Sequence, residues 1–230
     1  MLKQRLISAI ILSIGIVSLL FLLPSNYLIL FILLLTCVSL IEFLALRFST
    51  LTIILLVCLS LALFYFSTFP GLNKIFIGFS PLTYLGLFFL IISFPVSKPF
   101  LQRNFIWLTS GVAIHLGFFA SLYFLISQDE LVLKHFGADI TNRATLLIIV
   151  LISVMMDSFA FFGGKRFGKS KLLPNVSPNK TTEGFLIAMA ITPIIILVTI
   201  SPLIEKNFYQ FIILILISSF VSVIGDAVIS

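Results

Sequence analysis

Long apolar runs, separated by short polar stretches, follow one another along almost the whole sequence. A helix that crosses a bilayer needs ~20 predominantly apolar residues, and most of these runs approach that length. They lack the alternation of apolar and polar residues that a membrane β-barrel requires. The pattern predicts an all-α fold, a polytopic integral membrane protein with about eight transmembrane helices. The predicted spans are Leu6–Leu23, Tyr27–Leu46, Leu51–Phe66, Leu82–Val96, Phe105–Ser127, Ala144–Phe162, Phe185–Ile204 and Phe208–Ile224.

The number of spans depends on two short runs. Leu51–Phe66 and Leu82–Val96 are separated by Pro70–Pro81, which we interpret as a turn region because proline interrupts helices. The two runs either cross the bilayer or lie at its interface, and the pattern leaves both alternatives open.

The composition excludes the soluble classes of protein. Of the 230 residues, 60% are hydrophobic and 10% are charged, and the mean hydropathy is +1.27. A soluble domain of this size has no core that can bury so much apolar surface, and a disordered chain has far less of it. Eight spans use about 160 residues and leave about 70 for loops, too few for an independent soluble domain. We therefore expect residues 1–230 to form a single transmembrane domain, in which Cys37 and Cys58 are buried free thiols.

The formal net charge of +6 indicates an orientation. If the N-terminus is cytoplasmic and eight helices alternate, ten basic residues fall on the cytoplasmic side and four on the other. Positive residues resist translocation, so the N-terminus is predicted to be cytoplasmic. In a membrane protein such charge favours anionic lipid, and not nucleic acid, as a partner. The ten are Lys3, Arg5, Arg47, Lys98, Arg103, Lys165, Arg166, Lys169, Lys171 and Lys180.

Three ionisable residues lie within predicted spans, where each costs ~2.5–3.5 kcal/mol on insertion scales. Asp157 comes five residues before the predicted cytoplasmic end of its span. That depth suits a carboxylate facing a polar cavity open to the cytoplasm; a structural pairing with a lysine of the next loop is the alternative. We interpret Glu42 as an interfacial ion pair with Arg47, and His115 as a packed, hydrogen-bonded core residue. No Cys/His cluster has the spacing of a zinc site.

The loop Gly163–Glu183 carries the remaining candidate chemistry. Its first residues match the P-loop pattern G-x-x-x-x-G-K-S, but a P-loop needs a strand before it, and here a membrane helix precedes it. We interpret Ser177-Pro178 as a turn and Thr181 or Thr182 as the cap of the next helix. Hydroxyls and Lys180 at that helix N-terminus favour phosphate binding, whereas plain helix entry is the alternative. Asp226, which ends the last apolar run, would complete a site for a divalent cation and nucleotide phosphates.

These residues resemble the bacterial phosphatidate cytidylyltransferases, or CDP-diacylglycerol synthases. The resemblance covers the chain in order and is strongest in Asp157–Gly163, Phe167–Leu172, Ser177–Gly184 and Ser222–Asp226. The family usually has Gly at the position of Phe159. It also continues into a signature with Lys-Arg, Lys-Asp, His-Gly-Gly and Asp-Arg-x-Asp, which is absent from this sequence. We therefore expect a chain that is C-terminally truncated relative to the family, or one that has lost catalysis, with little activity on its own.

The resemblance implies the reaction of CTP with phosphatidic acid to give CDP-diacylglycerol and pyrophosphate, a nucleotidyltransferase step of phospholipid biosynthesis. It implies Asp157 and Asp226 as catalytic residues, Asp226 as the ligand of Mg²⁺, and a set of substrate-binding residues. CTP, phosphatidic acid and membrane lipids are the expected partners, with a homodimer left open, and the bacterial inner membrane is the expected location. A polytopic transporter and a non-catalytic membrane subunit are the alternatives. The substrate-binding set is Lys169, Ser177, Lys180, Thr181 and Glu183.

Overall fold

The computed structural model describes residues 13–128, 140–204 and 207–229, with side chains up to residue 225. Within these residues the chain is almost entirely helical, as the apolar runs predict. Six helices are long and apolar enough to cross a membrane, and two shorter apolar helices accompany them. The helices are α1 (Ser13–Leu22), α2 (Ser25–Ala45), α3 (Thr50–Phe66), α4 (Pro70–Ile92), α5 (Lys98–Leu101), α6 (Asn104–Ser127), α7 (Asn142–Phe167), α8 (Thr182–Ile200) and α9 (Phe208–Ile229). The predicted start of the first span at Leu6 lies outside the described residues.

The interpretation of Pro70–Pro81 as a turn is wrong, because this segment forms the first half of α4. Pro70 occupies the first turn of the helix, where its missing N–H is not needed for an intrahelical bond. Pro81 lies inside the helix, a position that membrane helices tolerate more readily than soluble ones. The fourth span is therefore 23 residues long and long enough to cross the bilayer.

The second difference is a β-hairpin between α7 and α8. Strands β1 (Lys171–Leu173) and β2 (Ser177–Thr181) pair antiparallel, with Lys171 opposite Thr181 and Leu173 opposite Ser177. Ser177-Pro178 is thus the start of a strand and not a turn. The preceding helix α7 continues five residues past the predicted end at Phe162, through Gly163 and Gly164 to Phe167.

Two apolar clusters hold the helices together. The first is formed mainly by α1, α2, α3 and α6, and the second by α7, α8 and α9. Arg143 at the start of α7 connects them: its guanidinium donates to the Leu20 carbonyl at 2.9 Å and to Ser25 Oγ at 3.2 Å. These bonds satisfy a carbonyl that the end of α1 leaves without an intrahelical partner.

Most apolar side chains point away from these clusters. In the six long helices only 11–33% of the apolar window is buried inside the protein. Surface of this extent and apolarity needs a hydrocarbon environment, so the structure is that of a membrane protein. Both cysteines are free, as expected, but Cys58 is exposed on this outer surface and not buried, and Cys37 is half-buried.

Candidate active site

Helices α7 and α8 approach each other closely next to the hairpin that joins them. A Cβ atom on Gly184 would meet the Ala160 carbonyl oxygen and would lie 2.9 Å from Gly164 N. A Cβ atom on Gly164 would lie 2.6 Å from Thr181 Oγ1. Small residues are what allow two membrane helices to approach this closely. The two glycines therefore bring the end of α7 against the start of α8.

Thr181 makes the turn from the hairpin into α8. Its Oγ1 accepts a hydrogen bond from Gly184 N at 3.2 Å, so it is the N-cap of the helix, as one of the two predicted alternatives proposed. This bond satisfies one of the backbone N–H groups that the first turn leaves without a partner. It also fixes the end of β2 at the helix N-terminus, where the helix dipole favours anions.

A cavity of about 400 Å³ lies where α7, the hairpin, α8 and α9 meet. Its lining contains polar and charged residues as well as apolar ones. The polar lining residues are Asp157, Lys165, Ser177, Asn179, Lys180 and Thr181. The others are Met156, Ala160, Phe161, Gly164, Leu172, Phe185 and Val223. A cavity with both kinds of surface can accept a ligand that carries phosphate at one end and hydrocarbon at the other.

Four predicted site residues, Asp157, Ser177, Lys180 and Thr181, meet in this cavity although up to 24 positions separate them along the chain. Their roles remain predictions. Because α7 is longer than predicted, Asp157 lies ten residues before the helix end and not five. Asn179 is a lining residue that the sequence analysis did not select. Alternation along β2 would not have found it, since Lys180 lines the same cavity although neighbouring strand residues face opposite sides.

Glu183 and Lys169 are not among the lining residues, although both are predicted to bind substrate. The Glu183 carboxylate accepts hydrogen bonds from Lys169 N at 3.0 Å, Ser170 N at 3.2 Å and Ser170 Oγ at 2.8 Å. In the structure, Glu183 thus binds the backbone and the Ser170 hydroxyl just before the first strand of the hairpin. Lys169 takes part through its backbone N–H, and its side chain is exposed.

The Asp226 side chain lies outside the described part of the structure, so its predicted role as metal ligand remains a prediction. The backbone of α9 continues through this position to Ile229 and does not end at the predicted boundary, Ile224. Val223, three residues earlier on the same helix, lines the cavity. Residues three apart on a helix share a face, which places position 226 on the face of α9 that carries this lining residue.

The model of the Cytidylyltransferase family matches residues 3–230. The chain belongs to this family. A phosphatidate cytidylyltransferase of Haemophilus influenzae is 34% identical over 143 residues, which cover 60% of this chain and 48% of the relative. One from Bacillus subtilis is 47% identical over 70 residues, covering 30% of this chain and 25% of the relative.

The resemblance inferred from the residues is therefore confirmed at the level of the family. A third relative, the phosphatidate cytidylyltransferase of Aquifex aeolicus, is 51% identical over 41 residues, or 18% of this chain and 16% of the relative. Each of these three matches spans about half of the relative's length or less. No solved structure matches the chain.

Two further ionisable residues lie away from the cavity of this family member. His115 Nδ1–H donates to the Gly111 carbonyl at 2.7 Å, so Nε2 accepts from Ser39 Oγ at 3.0 Å, and the prediction of a hydrogen-bonded, packed histidine is confirmed. The predicted Glu42–Arg47 pair is wrong. The guanidinium of Arg47 lies over the Trp107 ring, 4.3 Å from its centroid, and makes no salt bridge with Glu42 in the part of the chain that the structure describes.

Proposed function

We propose that the protein transfers the cytidylyl group of CTP to phosphatidic acid, giving CDP-diacylglycerol and pyrophosphate in phospholipid biosynthesis. The observation that carries this proposal is the cavity, in which Asp157 and Lys180 lie together with hydroxyl, amide and apolar groups. The names of the relatives support the same reaction.

The lining has polar and charged residues for phosphate groups and apolar residues for hydrocarbon, and the two substrates carry these kinds of groups. CTP is a soluble polyanion, and phosphatidic acid has a phosphate head and hydrocarbon tails. Lys165, Lys180 and the N-terminus of α8 supply positive potential for phosphate groups. Phe161, Phe185 and Val223 offer apolar surface for the part of the lipid next to its head. A site at the edge of the membrane region allows one substrate to arrive from water and the other from the bilayer.

The reaction requires little acid–base catalysis. An oxygen of the lipid phosphate attacks the α-phosphorus of CTP, a new P–O bond forms, and the bond to the β-phosphate breaks as pyrophosphate leaves. A phosphate is already ionised at neutral pH, so positioning of the two substrates and neutralisation of their charges supply most of the rate enhancement. Lys180 would hold phosphate oxygens, and the hydroxyls of Ser177 and Thr181 would donate to them.

Mg²⁺ is the metal that we expect the cavity to share with the nucleotide. Magnesium prefers oxygen ligands and commonly uses one or two carboxylates together with substrate phosphates. Asp157 lines the cavity with the oxygen-bearing side chains of Ser177, Asn179 and Thr181. Among the described residues, no group of three His, Cys, Asp or Glu side chains is placed to hold a metal ion. Asp157, with Asp226 as the predicted second carboxylate, would hold the ion, which when bound neutralises phosphate charge.

The expected location is a bacterial inner membrane with the cavity open to the cytoplasm. The basic residues of the α7–α8 connection, at positions 165, 166, 169, 171 and 180, support this orientation because positive loops are retained on the cytoplasmic side. The cytoplasm is also where CTP is available.

The test is a transferase assay with the 230-residue chain in vesicles that contain phosphatidic acid. We expect CDP-diacylglycerol and pyrophosphate in equal amounts, at the low rate expected of this chain, and only when CTP, Mg²⁺ and phosphatidic acid are all present. Vesicles with diacylglycerol in place of phosphatidic acid are the matched control, since this lipid lacks the attacking phosphate. A folded chain that binds neither substrate and forms neither product would contradict the proposal.

A further inference from the structure

The foot of the hairpin is held by a group of hydrogen bonds that we call the clasp, formed by Ser170, Thr182 and Glu183. Ser170 Oγ lies 2.9 Å from Thr182 Oγ1, and Thr182 N donates to the Ser170 carbonyl at 3.0 Å. The Glu183 carboxylate bonds Lys169 N, Ser170 N and Ser170 Oγ. The clasp therefore joins the segment that enters β1 to the first turn of α8.

Both oxygens of the Glu183 carboxylate are engaged in this way. Oε1 accepts from Ser170 N and Ser170 Oγ at 3.2 and 2.8 Å, and Oε2 accepts from Lys169 N and Ser170 N at 3.0 and 3.2 Å. Hydrogen bonds to an ionised acceptor are about twice as strong as neutral ones. The charge also lies in the first turn of α8, where the helix dipole favours it. These contacts direct the carboxylate towards the protein backbone and away from the lining of the cavity.

The hairpin that the clasp holds provides one wall of the cavity. Leu172 of β1 and Ser177, Asn179, Lys180 and Thr181 of β2 all line it. At the far end of the hairpin, Asn175 Nδ2 contacts the Phe94 carbonyl at 3.5 Å, which is the outer limit for a hydrogen bond. The position of the wall relative to Asp157 on α7 thus depends on its attachment at the foot.

We infer that Glu183 is a positioning residue: with Ser170 it fixes the hairpin so that Lys180 and Ser177 line the cavity together with Asp157. This inference rests on the proposed function and gives Glu183 a role different from the predicted contact with substrate. Glu183 acts through the hairpin, and the groups that meet the phosphates are those of β2.

The experiment compares Glu183→Gln and Glu183→Asp with the wild type in CTP affinity, transferase kinetics and trypsin cleavage. Glutamine sets an amide NH₂ against backbone donors, whereas aspartate keeps the charge on a shorter arm. We expect Glu183→Gln to weaken CTP binding and raise the KM for CTP by about tenfold, with a much smaller change in kcat. Glu183→Asp should recover part of the loss.

Trypsin cleavage after Lys169 and Lys171 gives a readout that does not depend on catalysis. Release of the clasp should speed cleavage several-fold in Glu183→Gln, because proteolysis follows the population of locally opened chain. Glu42→Gln, which alters an exposed carboxylate far along the chain on α2, should leave the cleavage rate unchanged. Ser170→Ala should also speed cleavage, and the double variant should be little worse than Glu183→Gln alone, because both changes remove the same interaction.

Loss of CTP affinity with an unchanged cleavage rate would overturn the inference and point to direct contact between Glu183 and substrate. Faster cleavage with unchanged CTP affinity and KM would overturn it as well, because the hairpin would then bind CTP equally well without the clasp. A wild-type chain that binds CTP without turnover still tests the inference through affinity. One that does not bind CTP overturns both the inference and the proposed function, while the cleavage rates still report whether the clasp holds the hairpin.

Discussion

At the scale of single residues, the position of Asp157 is the most informative feature. A carboxylate in a membrane helix is costly and needs a polar surrounding. The structure places Asp157 on the cavity, with Lys165 and Lys180 in the same lining. If Asp157 neutralises or positions phosphates through a bound cation, loss of its charge removes an interaction that the transition state needs.

We expect Asp157→Asn to lower transferase activity by about 10²- to 10³-fold, the range seen when one charge-stabilising group is removed. Thermal stability of the purified variant should remain close to that of the wild type, because asparagine conserves the shape. Ser158→Ala is the matched control, since the Ser158 hydroxyl donates to the Val154 carbonyl of its own helix. Activity within a few-fold of the wild type in Asp157→Asn would contradict a role in the site.

Lys180 and Lys171 provide a second comparison at this scale, because they lie on paired strands and only Lys180 lines the cavity. We expect Lys180→Ala to raise the KM for CTP by at least about tenfold, since a charge-assisted bond to phosphate contributes roughly 1.5–3 kcal/mol. Lys171→Ala should change the KM by less than about twofold, because the Lys171 side chain is exposed and its charge is screened by salt. Equal effects of the two substitutions, measured as initial rates against CTP concentration, would indicate a general electrostatic effect without a specific contact.

At the scale of elements, apolar runs predict helices well because the bilayer leaves few alternatives. The ends of α6 and the start of α9 agree with the predicted boundaries to within one residue. Prediction fails where the local signal and the environment disagree. Pro70 and Pro81 indicate a turn in water, but Pro70 suits a first helical turn and Pro81 is tolerated within the membrane. The extension of α7 past Phe162 depends on close packing of Gly163 and Gly164 against α8, which sequence alone does not show.

The hairpin is the part of the site that the sequence did not reveal. Its strands have three and five residues, too short for an alternating pattern to stand out in a loop rich in lysine. The sequence nevertheless identified Ser177, Lys180 and Thr181 as candidates. Hydroxyls and a lysine before a capped helix favour phosphate binding whether the residues form a loop or a strand. The role of Glu183 was not identifiable, because its partners are backbone N–H groups brought to it by the hairpin.

Substitution by alanine should have opposite effects on stability at two glycines, Gly184 at the crossing of α7 and α8 and Gly86 in α4. Gly184→Ala places a Cβ against the Ala160 carbonyl and Gly164, so we expect the two helices to separate and stability to fall by about 1–3 kcal/mol. Gly86→Ala lies in α4 with nothing within 4 Å of the new Cβ, and alanine should there stabilise the helix by about 0.5–1 kcal/mol. Thermal unfolding in one detergent checks both. A Gly184→Ala variant as stable as Gly86→Ala would contradict the close approach.

At the scale of the whole molecule, the two apolar clusters have different roles, because only one of them belongs to the helices that form the cavity. The cluster of α1, α2, α3 and α6 contains none of the cavity lining, which belongs to α7, α8, α9 and the hairpin. Arg143 and the contact between Phe88 of α4 and Phe220 of α9 join the two parts. The N-terminal helices thus act as a support in the membrane for the elements that form the site.

The orientation of the molecule decides whether the cavity meets CTP, and it can be tested with one pair of positions. Because α8 leads away from the hairpin and α9 returns, we expect Asn175 at the hairpin tip and Tyr209 at the start of α9 to lie on opposite faces of the membrane. In a chain without Cys37 and Cys58, we expect Asn175→Cys to react with a membrane-impermeant maleimide only after cells are permeabilised. Tyr209→Cys, where the native side chain is 81% exposed, should react in intact cells. The reverse pattern would place the basic loop outside, against the positive-inside rule, and would remove the cavity from its nucleotide.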